Sequence, residues 1–569
     1  MTTPIYELSG TYVERLAELD PVAATSRGIV GHDAEMTDYS PDGIASRSEL
    51  SRTTLAQLRE LLPEDERDRV AAGLLSERLR SSLDLDEAGE TIRLLQPIGS
   101  PFQAVRQVFD IMPRTTEQDW VTLAARLELV PFGLAGVRAS LGEATKRGLA
   151  PARRQVLVCA AQGETWAGLG DHRPFFADLV ARYGGDDNGL RSRLDNAAGS
   201  ATEAYRSLSA WMRDDLAPLA TPHDAVGADR YALNARLFLG SRLDPEEAYR
   251  WGWDELHRLE AEMSTVAREI VPGASVAEAI AFLESDPARA IHGEEALRSY
   301  LQDLMDRTID ELDGTQFDIP GPLKMVEAMI APPGGAAAMY YTGPAEDFSR
   351  PGRTWYPTLG KTSFPVWGEV SICYHEGVPG HHLQIGQVRY LKDRLSRFQR
   401  MAVLSGHSEG WALYAERLMD ELGYFKDPDY RLGFLRAQVL RAVRVVVDIG
   451  MHLELEIPAG ERFHPGERWS PELGAQFVFE RSCFPRDFMA SELDRYLGMP
   501  GQAISYKLGE RAWLAGRDQA RRHVGAAFDL KGFHAYALNL GPLGLDQLAA
   551  ELAAFPTPDA LPAATARDN

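Results

Sequence analysis

The chain has 569 residues, of which 44% are hydrophobic and 25% charged, and its formal net charge is −23 at pH 7. This length allows a large core or two lobes, and the negative charge argues against nucleic acid or an anionic membrane surface as the main partner. Three cysteines are too few for a disulfide framework and fit a reducing cytoplasm.

The N-terminal stretch MTTPIYELSGTYVERLAELD contains neither a basic region nor a continuous apolar run, so no signal peptide is expected. We find no run of about 18 apolar residues, so no transmembrane helix is expected either. Apolar residues at helical spacing dominate the first half, and Leu50, Leu55 and Leu58 share one face of such a segment. These patterns predict a mainly α, cytoplasmic protein.

Residues 315–365 interrupt the helical pattern. Eight prolines in this stretch exclude a long helix, and KMVEAMI, AAAMYY and RTWYPT have the composition of short strands of a small sheet. We predict one structural unit with four parts. These are an N-terminal helical half (1–314), a Pro/Gly-rich junction with short strands (315–365), a second helical half (366–555) and a flexible tail (556–569).

The stretch CYHEGVPGHH combines three histidines and a glutamate with a proline and two glycines. A zinc-binding His-Glu-x-x-His helix places its histidines one turn apart, whereas His375 precedes His381 by six residues and His382 by seven. In a straight helix His382 would lie about 10 Å further along the axis than His375. Pro379 clashes with the carbonyl four residues earlier and cannot bond it, so we expect a kink that shortens this gap.

The helix predicted over residues 405–422 carries the candidate third ligand. Glu409 lies in its first turn, 34 residues after His375, and zinc sites accept a glutamate beside two histidines. Glu416 follows on the same face and is suited to orient a histidine ligand through a hydrogen bond. The alternative for Glu409 and Glu416 is that both are surface carboxylates, Glu409 being favoured near a helix N-terminus by the helix dipole. The alternative for the histidine-rich stretch is an ordinary polar turn.

Two later segments add candidates. A nearly all-apolar helix carries Arg444, Asp448 and His452 at intervals of four residues. This stripe either lines a substrate cleft or is a structural ion pair beside a core histidine. In ELDRYLGMPGQAISYKLGE, Arg495 and Tyr506 flank a Pro-Gly turn. An arginine can bind a carboxylate and a tyrosine hydroxyl can stabilise an oxyanion, but both residue types also close helix ends.

Four motifs, HEGVPGHHLQ, SEGWALYAE, DIGMH and PGQAISYKLG, together resemble the bacterial domain of unknown function 885 family. That family is grouped with the zinc metallopeptidases whose third ligand is a glutamate, and the resemblance covers most of the chain. It implies a large, almost all-helical, two-lobed metallopeptidase-like fold with a cleft. It also implies N-terminal helices that cover the cleft and a small β-sheet near the active site.

The sequence also resembles the carboxypeptidase Taq group, which has a His-Glu-x-x-His helix followed by GHALY-like and HES-like runs. Matching GHHLQ and HSEGW to those runs implies His381 and Glu409 as ligands, with His375 and Glu376 as the first His-Glu pair. Two extra residues before His381 depart from the pattern. They leave open whether His375 ligates, whether His382 substitutes and whether Glu376 faces the metal.

The resulting hypothesis is a zinc-dependent peptidase, with carboxypeptidase action as one option and exo- versus endo-action left open, acting on a peptide or small amide with no nucleic acid or membrane partner. Its predicted site residues are the metal ligands His375, His381 (or His382) and Glu409, the catalytic residues Glu376, Tyr506, His452 and Arg495, and the supporting carboxylates Glu416 and Asp448. One zinc ion is expected, although imidazole also suits other divalent transition metals. The alternatives are a metal-dependent amidohydrolase of small non-peptide amides and a non-catalytic helical protein that retains the fold.

Within this hypothesis each catalytic residue has a role. Glu376 is the general base that activates the water molecule. Tyr506, with His452 as the second choice, stabilises the oxyanion. Arg495 or Arg444 binds a substrate carboxylate.

Overall fold

The computed structural model describes residues 3–331, 338–345 and 347–556. Within these ranges the chain forms 24 α-helices and five short strands, which confirms the predicted mainly α fold with a small sheet. The predicted tail at 556–569 lies outside the described residues except for Pro556. The two-lobed, cleft-containing arrangement that the resemblance implies stays a prediction.

The chain forms two compact units, and the first comprises Met1–Asn234, His452–Glu454 and Ala490–Pro500. Its long N-terminal segment contains α1 (Pro4–Leu19), α2 (Pro21–Ser26), α3 (Pro41–Arg59), α4 (Glu66–Glu87), α5 (Pro101–Ile111), α6 (Glu117–Glu128), α7 (Val130–Lys146), α8 (Arg153–Trp166), α9 (Phe175–Val180) and α10 (Asn188–Trp211). Helix α10 is central, since it packs against α6, α7, α8 and α9. It buries Leu194, Ala201 and Tyr205 in the core of this unit.

The segment Glu117–Lys146, which contains α6 and α7, is long and apolar enough to cross a membrane by length and composition. The sequence prediction of no such segment is therefore too strong. However, 56% of its most apolar window is buried inside the structure, with Leu123, Leu127 and Leu134 in the core. The buried helix of a folded core meets the same criterion, so one such segment is weak evidence for a membrane span.

The second unit comprises Ala235–Met451, Leu455–Met489 and Gly501–Asn569. The remaining helices are α11 (Gly227–Leu239), α12 (Pro245–Ile270), α13 (Val276–Ser285), α14 (Glu294–Leu312), α15 (Glu369–Glu376), α16 (His381–Tyr390), α17 (Arg397–Met401), α18 (Ser405–Glu421), α19 (Pro428–Leu453), α20 (Pro471–Arg481), α21 (Arg486–Gly498), α22 (Ser505–Val524), α23 (Leu530–Asn539) and α24 (Leu545–Ala553). Helices α11, α19 and α21 contribute residues to both units. The boundary predicted after residue 314 falls inside the second unit.

Two small sheets lie in the second unit. The strands are β1 (Ala290–His292), β2 (Val326–Ile330), β3 (Tyr340–Thr342), β4 (Gly352–Tyr356) and β5 (Ser363–Pro365). Strand β1 pairs antiparallel with β5, and the three-stranded sheet has the order β2-β4-β3 with β2 parallel and β3 antiparallel to β4. The strands predicted in the Pro/Gly-rich junction are thus confirmed, although residues 336 and 337 of AAAMYY lie outside the described residues.

Helices α18 and α22 pack closely because glycines face each other where they meet. A Cβ atom added to Gly410 on α18 would lie 2.5 Å from the backbone of Gly509 on α22, so neither position has room for a side chain. Helix α18 also packs against α15 and α16. This arrangement brings two other segments singled out in the sequence, the histidine-rich stretch and the start of α22, against α18.

Candidate metal centre

The helix that leads into the histidine-rich stretch breaks where the proline predicts it. Helix α15 ends at Glu376 and α16 begins at His381, because Pro379 cannot supply the N–H that a continuous helix requires. The Val378–Pro379 peptide bond is cis. The predicted kink is therefore confirmed as a short non-helical connection.

Backbone hydrogen bonds fold this connection back on itself. The N–H of Gly380 donates to the carbonyl of Tyr374 at 3.0 Å, and the N–H of His382 donates to the carbonyl of Gly377 at 3.1 Å. A Cβ atom at Gly380 would lie 1.9 Å from the carbonyl oxygen of His375. Only glycine at this position lets the chain turn so closely back on the end of α15, and this turn shortens the gap between the histidines.

The break brings two imidazoles and one carboxylate together. Nε2 of His375 lies 3.3 Å, and Nε2 of His381 3.6 Å, from Oε2 of Glu409. The two rings are nearly perpendicular, with centroids 4.8 Å apart. The three donor atoms lie within 4.8 Å of one another, and donors bound to one tetrahedral zinc at about 2.0–2.1 Å lie roughly 3.3 Å apart. The donor types and spacing therefore fit one small cation.

A second carboxylate on α18 fixes the orientation of His375. Nδ1 of His375 lies 2.7 Å from Oε1 of Glu416, while the hydroxyl of Ser371 donates to Oε2 at 2.7 Å. A guanidinium nitrogen of Arg441 lies 3.6 Å from Oε1. This network turns Nε2 of His375 towards Glu409, as hydrogen-bonded carboxylates do for histidine ligands of metals. The sequence suggested Glu416 but gave no sign of Ser371 or Arg441.

The charges in this cluster support one another. Burial lowers the pKa of His375, but its hydrogen bonds with Glu409 and Glu416 outweigh this effect and raise it to about 9. Burial raises the pKa of Glu409, yet hydrogen bonds with His375 and His381 hold it well below its usual range. Burial likewise raises the pKa of Glu416, and Arg441 and His375 lower it overall. Both carboxylates are therefore charged at neutral pH and favour a cation between them.

The three side chains of the cluster differ in exposure, although Oε2 of Glu409 is itself buried. The side chain of Glu409 is 22% exposed, compared with 5% for His375 and 11% for His381. The buried Nδ1 of His381 has no hydrogen-bond partner among the described residues. Its ring is therefore held by the backbone and by packing, whereas the ring of His375 is held by Glu416.

His382 is placed differently from its neighbour. Its Nε2–H donates to the carbonyl of Leu323 at 2.9 Å, and its Nδ1 accepts from the hydroxyl of Tyr341 at 3.0 Å. Burial lowers the pKa of His382 to about 4. A Cβ atom at Gly352 would lie 2.5 Å from its Nδ1, so the ring packs closely against β4. The structure brings His381, and not His382, together with the other donors.

Glu376 is the last residue of α15 and directly follows His375. It is largely buried, with 8% of its surface exposed, and its carboxylate forms no hydrogen bond or ion pair with the residues that the structure describes. Its oxygens are not among the buried polar atoms that lack a partner, so the carboxylate keeps some contact with solvent. It lies at the helix break, between His375 and the connection that leads to His381.

The predicted residues of α19 and α22 that belong to the second unit have other contacts. The guanidinium of Arg444 lies 4.6 Å from the ring centre of Tyr506. Tyr506 is half-buried in the first turn of α22, one turn before Gly509. A carboxylate oxygen of Asp448 accepts from the N–H of Gly501 at 2.9 Å, so Asp448 supports the Pro-Gly turn that precedes α22.

His452 and Arg495 belong to the first unit and have partners there. Nε2–H of His452 donates to the carbonyl of Tyr496 at 3.0 Å, and burial lowers the pKa of His452 to about 4. Arg495 forms a bidentate ion pair with Glu492, with N···O distances of 2.6 and 2.9 Å. The guanidinium that was expected to bind a substrate carboxylate therefore already binds a carboxylate of the protein.

The fold and this cluster define a mainly helical protein in which two histidines and a glutamate meet across a helix break. The chain belongs to the family described as bacterial protein of unknown function (DUF885), whose model matches residues 21–552. This confirms the family expected from the motifs, while the resemblance to metallopeptidases stays a prediction. No curated protein sequence matches the chain.

Two solved structures have the same fold. One is described as a "putative lipoprotein" from Colwellia psychrerythraea; it shares 24% sequence identity at a TM-score of 0.82 and covers 97% of this chain and 99% of its own. The other, described as a "putative lipoprotein of unknown function" from Shewanella oneidensis, shares 16% identity at a TM-score of 0.74 and covers 96% and 99%. At these identities the likeness concerns the fold alone.

Proposed function

We propose that this protein is a zinc-dependent hydrolase of peptide bonds. The observation that carries the proposal is the convergence of His375, His381 and Glu409 across the break between α15 and α16. Two imidazoles and a carboxylate are a common protein ligand set of catalytic zinc, which keeps a further position for water or substrate. Glu409 is the most exposed of the three side chains, so we place the approach of a substrate on its side of the cluster.

The surroundings of the donors support this assignment. The Glu416 carboxylate takes the second nitrogen of His375, which fixes the tautomer that a metal requires. The ionised Glu409 supplies negative charge directly to a cation at the three donors, while Glu416 is shared between His375 and Arg441. An ordinary polar turn needs neither the buried Glu416 nor its ion pair with Arg441.

Zinc bound there supplies Lewis acidity and lowers the pKa of a water molecule towards 7. Glu376 accepts the proton of the attacking water and returns it to the leaving amine. Tyr506 is the candidate donor of a hydrogen bond to the carbonyl oxygen as negative charge develops. Its helix packs against α18 next to Glu409, and the cation of Arg444 against its ring favours a fixed orientation.

The test is the substitution Glu376→Gln. We expect this variant to keep its zinc and to lose about 10²–10⁴-fold in peptide hydrolysis, because a general base contributes that much. Glu369→Gln is the matched control, since Glu369 is a poorly exposed carboxylate at the other end of α15. Zinc per chain is measured by elemental analysis and hydrolysis with a peptide panel that includes dipeptides and acylated amino acids.

Three results would count against the proposal. A fully active Glu376→Gln variant excludes the general-base role. Hydrolysis confined to acylated amino acids or other small amides makes the protein an amidohydrolase and not a peptidase. Less than about 0.1 zinc per chain after reconstitution at micromolar zinc excludes a catalytic zinc site, because such sites bind far more tightly.

A further inference from the structure

A single side chain connects the helix break to the helix that carries the third donor. The indole Nε1–H of Trp411 donates to the carbonyl of Pro379 at 2.9 Å, and both atoms are buried. Trp411 is fully buried on α18, two residues after Glu409. The connection between the two histidines is therefore tied to the same helix as the glutamate.

The two histidines depend on different supports. The ring of His375 has its own polar anchor, because Glu416 accepts its Nδ1–H. The ring of His381 has no such anchor among the described residues, since its Nδ1 has no hydrogen-bond partner there. The position of His381 therefore follows from the backbone immediately before it, which is the segment that Trp411 holds through Pro379.

The indole is itself held firmly in place. Its ring centre lies 4.9 Å from that of Trp513 on α22 and 5.4 Å from that of Tyr414 on α18. The Nε1–H of Trp513 in turn donates to the carbonyl of His407 at 3.2 Å. Packing on this scale leaves few rotamers for the indole, so its hydrogen bond acts as a rigid support.

We infer that Trp411 is a positioning residue that sets the place of His381 by holding the carbonyl of Pro379. The inference rests on the proposed function, because it gives Trp411 a role in a metal site. The two parts of the Trp411 side chain have different roles. The ring packs in the core, and the Nε1–H sets where the imidazole of His381 lies. A displacement of about 1 Å at such a site is enough to reduce function strongly.

The experiment compares Trp411→Phe with Trp253→Phe. Trp253 is also buried in the second unit, beside the ring of Tyr249. Its Nε1–H has no acceptor at normal hydrogen-bond distance and angle among the described residues, so its replacement removes the same atoms without breaking a well-formed hydrogen bond. Zinc affinity is measured by competition with a chromophoric chelator, and the visible spectrum of the cobalt-substituted protein reports the ligand set. We expect Trp411→Phe to lose about ten- to a hundredfold in zinc affinity, with a changed cobalt spectrum, and Trp253→Phe to keep both.

A double-mutant cycle tests whether the effect passes through His381. In a His381→Ala background, Trp411→Phe is expected to change the residual zinc affinity less than twofold, because the displaced ligand is already gone. An unchanged affinity in Trp411→Phe, or an equal loss in the two backgrounds, overturns the inference and leaves the proposed function intact. A wild-type protein that binds no zinc overturns both. Should the phenylalanine variant fail to fold, Trp411→Tyr and Trp253→Tyr are compared in the same way.

Discussion

Helix α18 contributes to two buried histidine environments with opposite electrostatics. At the His375–His381–Glu409 cluster it presents Glu409 and Glu416 to His375, whose pKa is raised to about 9. At a second place, the hydroxyl of Tyr414 donates to Nε2 of His534, and burial lowers the pKa of His534 to about 4. Both imidazoles are buried, so burial does not distinguish them. The charge of the neighbouring groups decides which of the two imidazoles is protonated at neutral pH in the metal-free protein.

The environment of His534 is complete without a metal. Its Nδ1–H donates to the carbonyl of Gln316 at 3.0 Å, and its ring stacks on Phe317 with centroids 4.5 Å apart. Both ring nitrogens are therefore used by a neutral imidazole. At the cluster, in contrast, Glu409 and Glu416 hold His375 protonated in the metal-free protein, and a bound cation would take the place of that proton at Nε2.

The largest expected effect is on zinc affinity, and it distinguishes the proposed ligands His375 and His381 from their neighbour His382. His375→Ala and His381→Ala should each lower zinc affinity about a hundredfold or more, because each removes one donor of a site whose total binding free energy is shared among few ligands. His382→Ala should keep zinc and lose thermal stability, since it removes two buried hydrogen bonds. Titration with zinc and thermal unfolding of the metal-free proteins measure both. A loss of zinc in His382→Ala alone would reverse the assignment.

A smaller effect is expected from the carboxylate behind His375. Glu416→Gln should lower zinc affinity about ten- to a hundredfold, because the uncharged amide orients the imidazole less strongly and leaves Arg441 without its buried partner. Glu421→Gln is the control, since Glu421 ends the same helix in an ion pair with Arg517. Equal zinc affinities in the two variants would show that Glu416 has only a structural role.

The smallest expected effect is on the pH dependence of stability at His534. A histidine whose pKa is lowered on folding is neutral in the folded state, so its contribution to stability is present above about pH 6.5 and is lost as the pH falls towards its folded value of about 4. Between pH 7 and pH 5 this loss is about 2 kcal/mol for His534. We therefore expect the difference in free energy of unfolding between metal-free wild type and His534→Gln, measured by urea unfolding, to become smaller by that amount from pH 7 to pH 5. A constant difference would mean that His534 binds a proton in the folded protein.

The sequence was sufficient for the features that depend on local chemistry. Pro379 and its flanking glycines predict the break because a proline cannot continue a helix whatever surrounds it. The pairing of Glu409 with Glu416 follows from helical periodicity, since residues seven apart share a face. The mainly α fold follows from the same periodicity along most of the chain.

The features that sequence left open depend on distant contacts. The choice between His381 and His382 is made by Leu323 and Tyr341, which come from residues around the small sheet and take both nitrogens of His382. In the sequence, Trp411 is not distinguished from the other apolar residues of α18, although a buried indole N–H needs an acceptor. That acceptor is a backbone carbonyl 32 residues earlier in the chain, and no spacing rule identifies it.

The contact between Gly410 and Gly509 limits how the site can vary. There is no room for even a methyl group between the two backbones, so α18 can pack against α22 in only one register. Glu409, which directly precedes Gly410, is therefore fixed in position relative to α22. Substitutions elsewhere on α22 can change what surrounds a substrate without moving the third donor. Any substitution meant to keep the place of Glu409 should therefore leave these two glycines untouched and vary the residues around them.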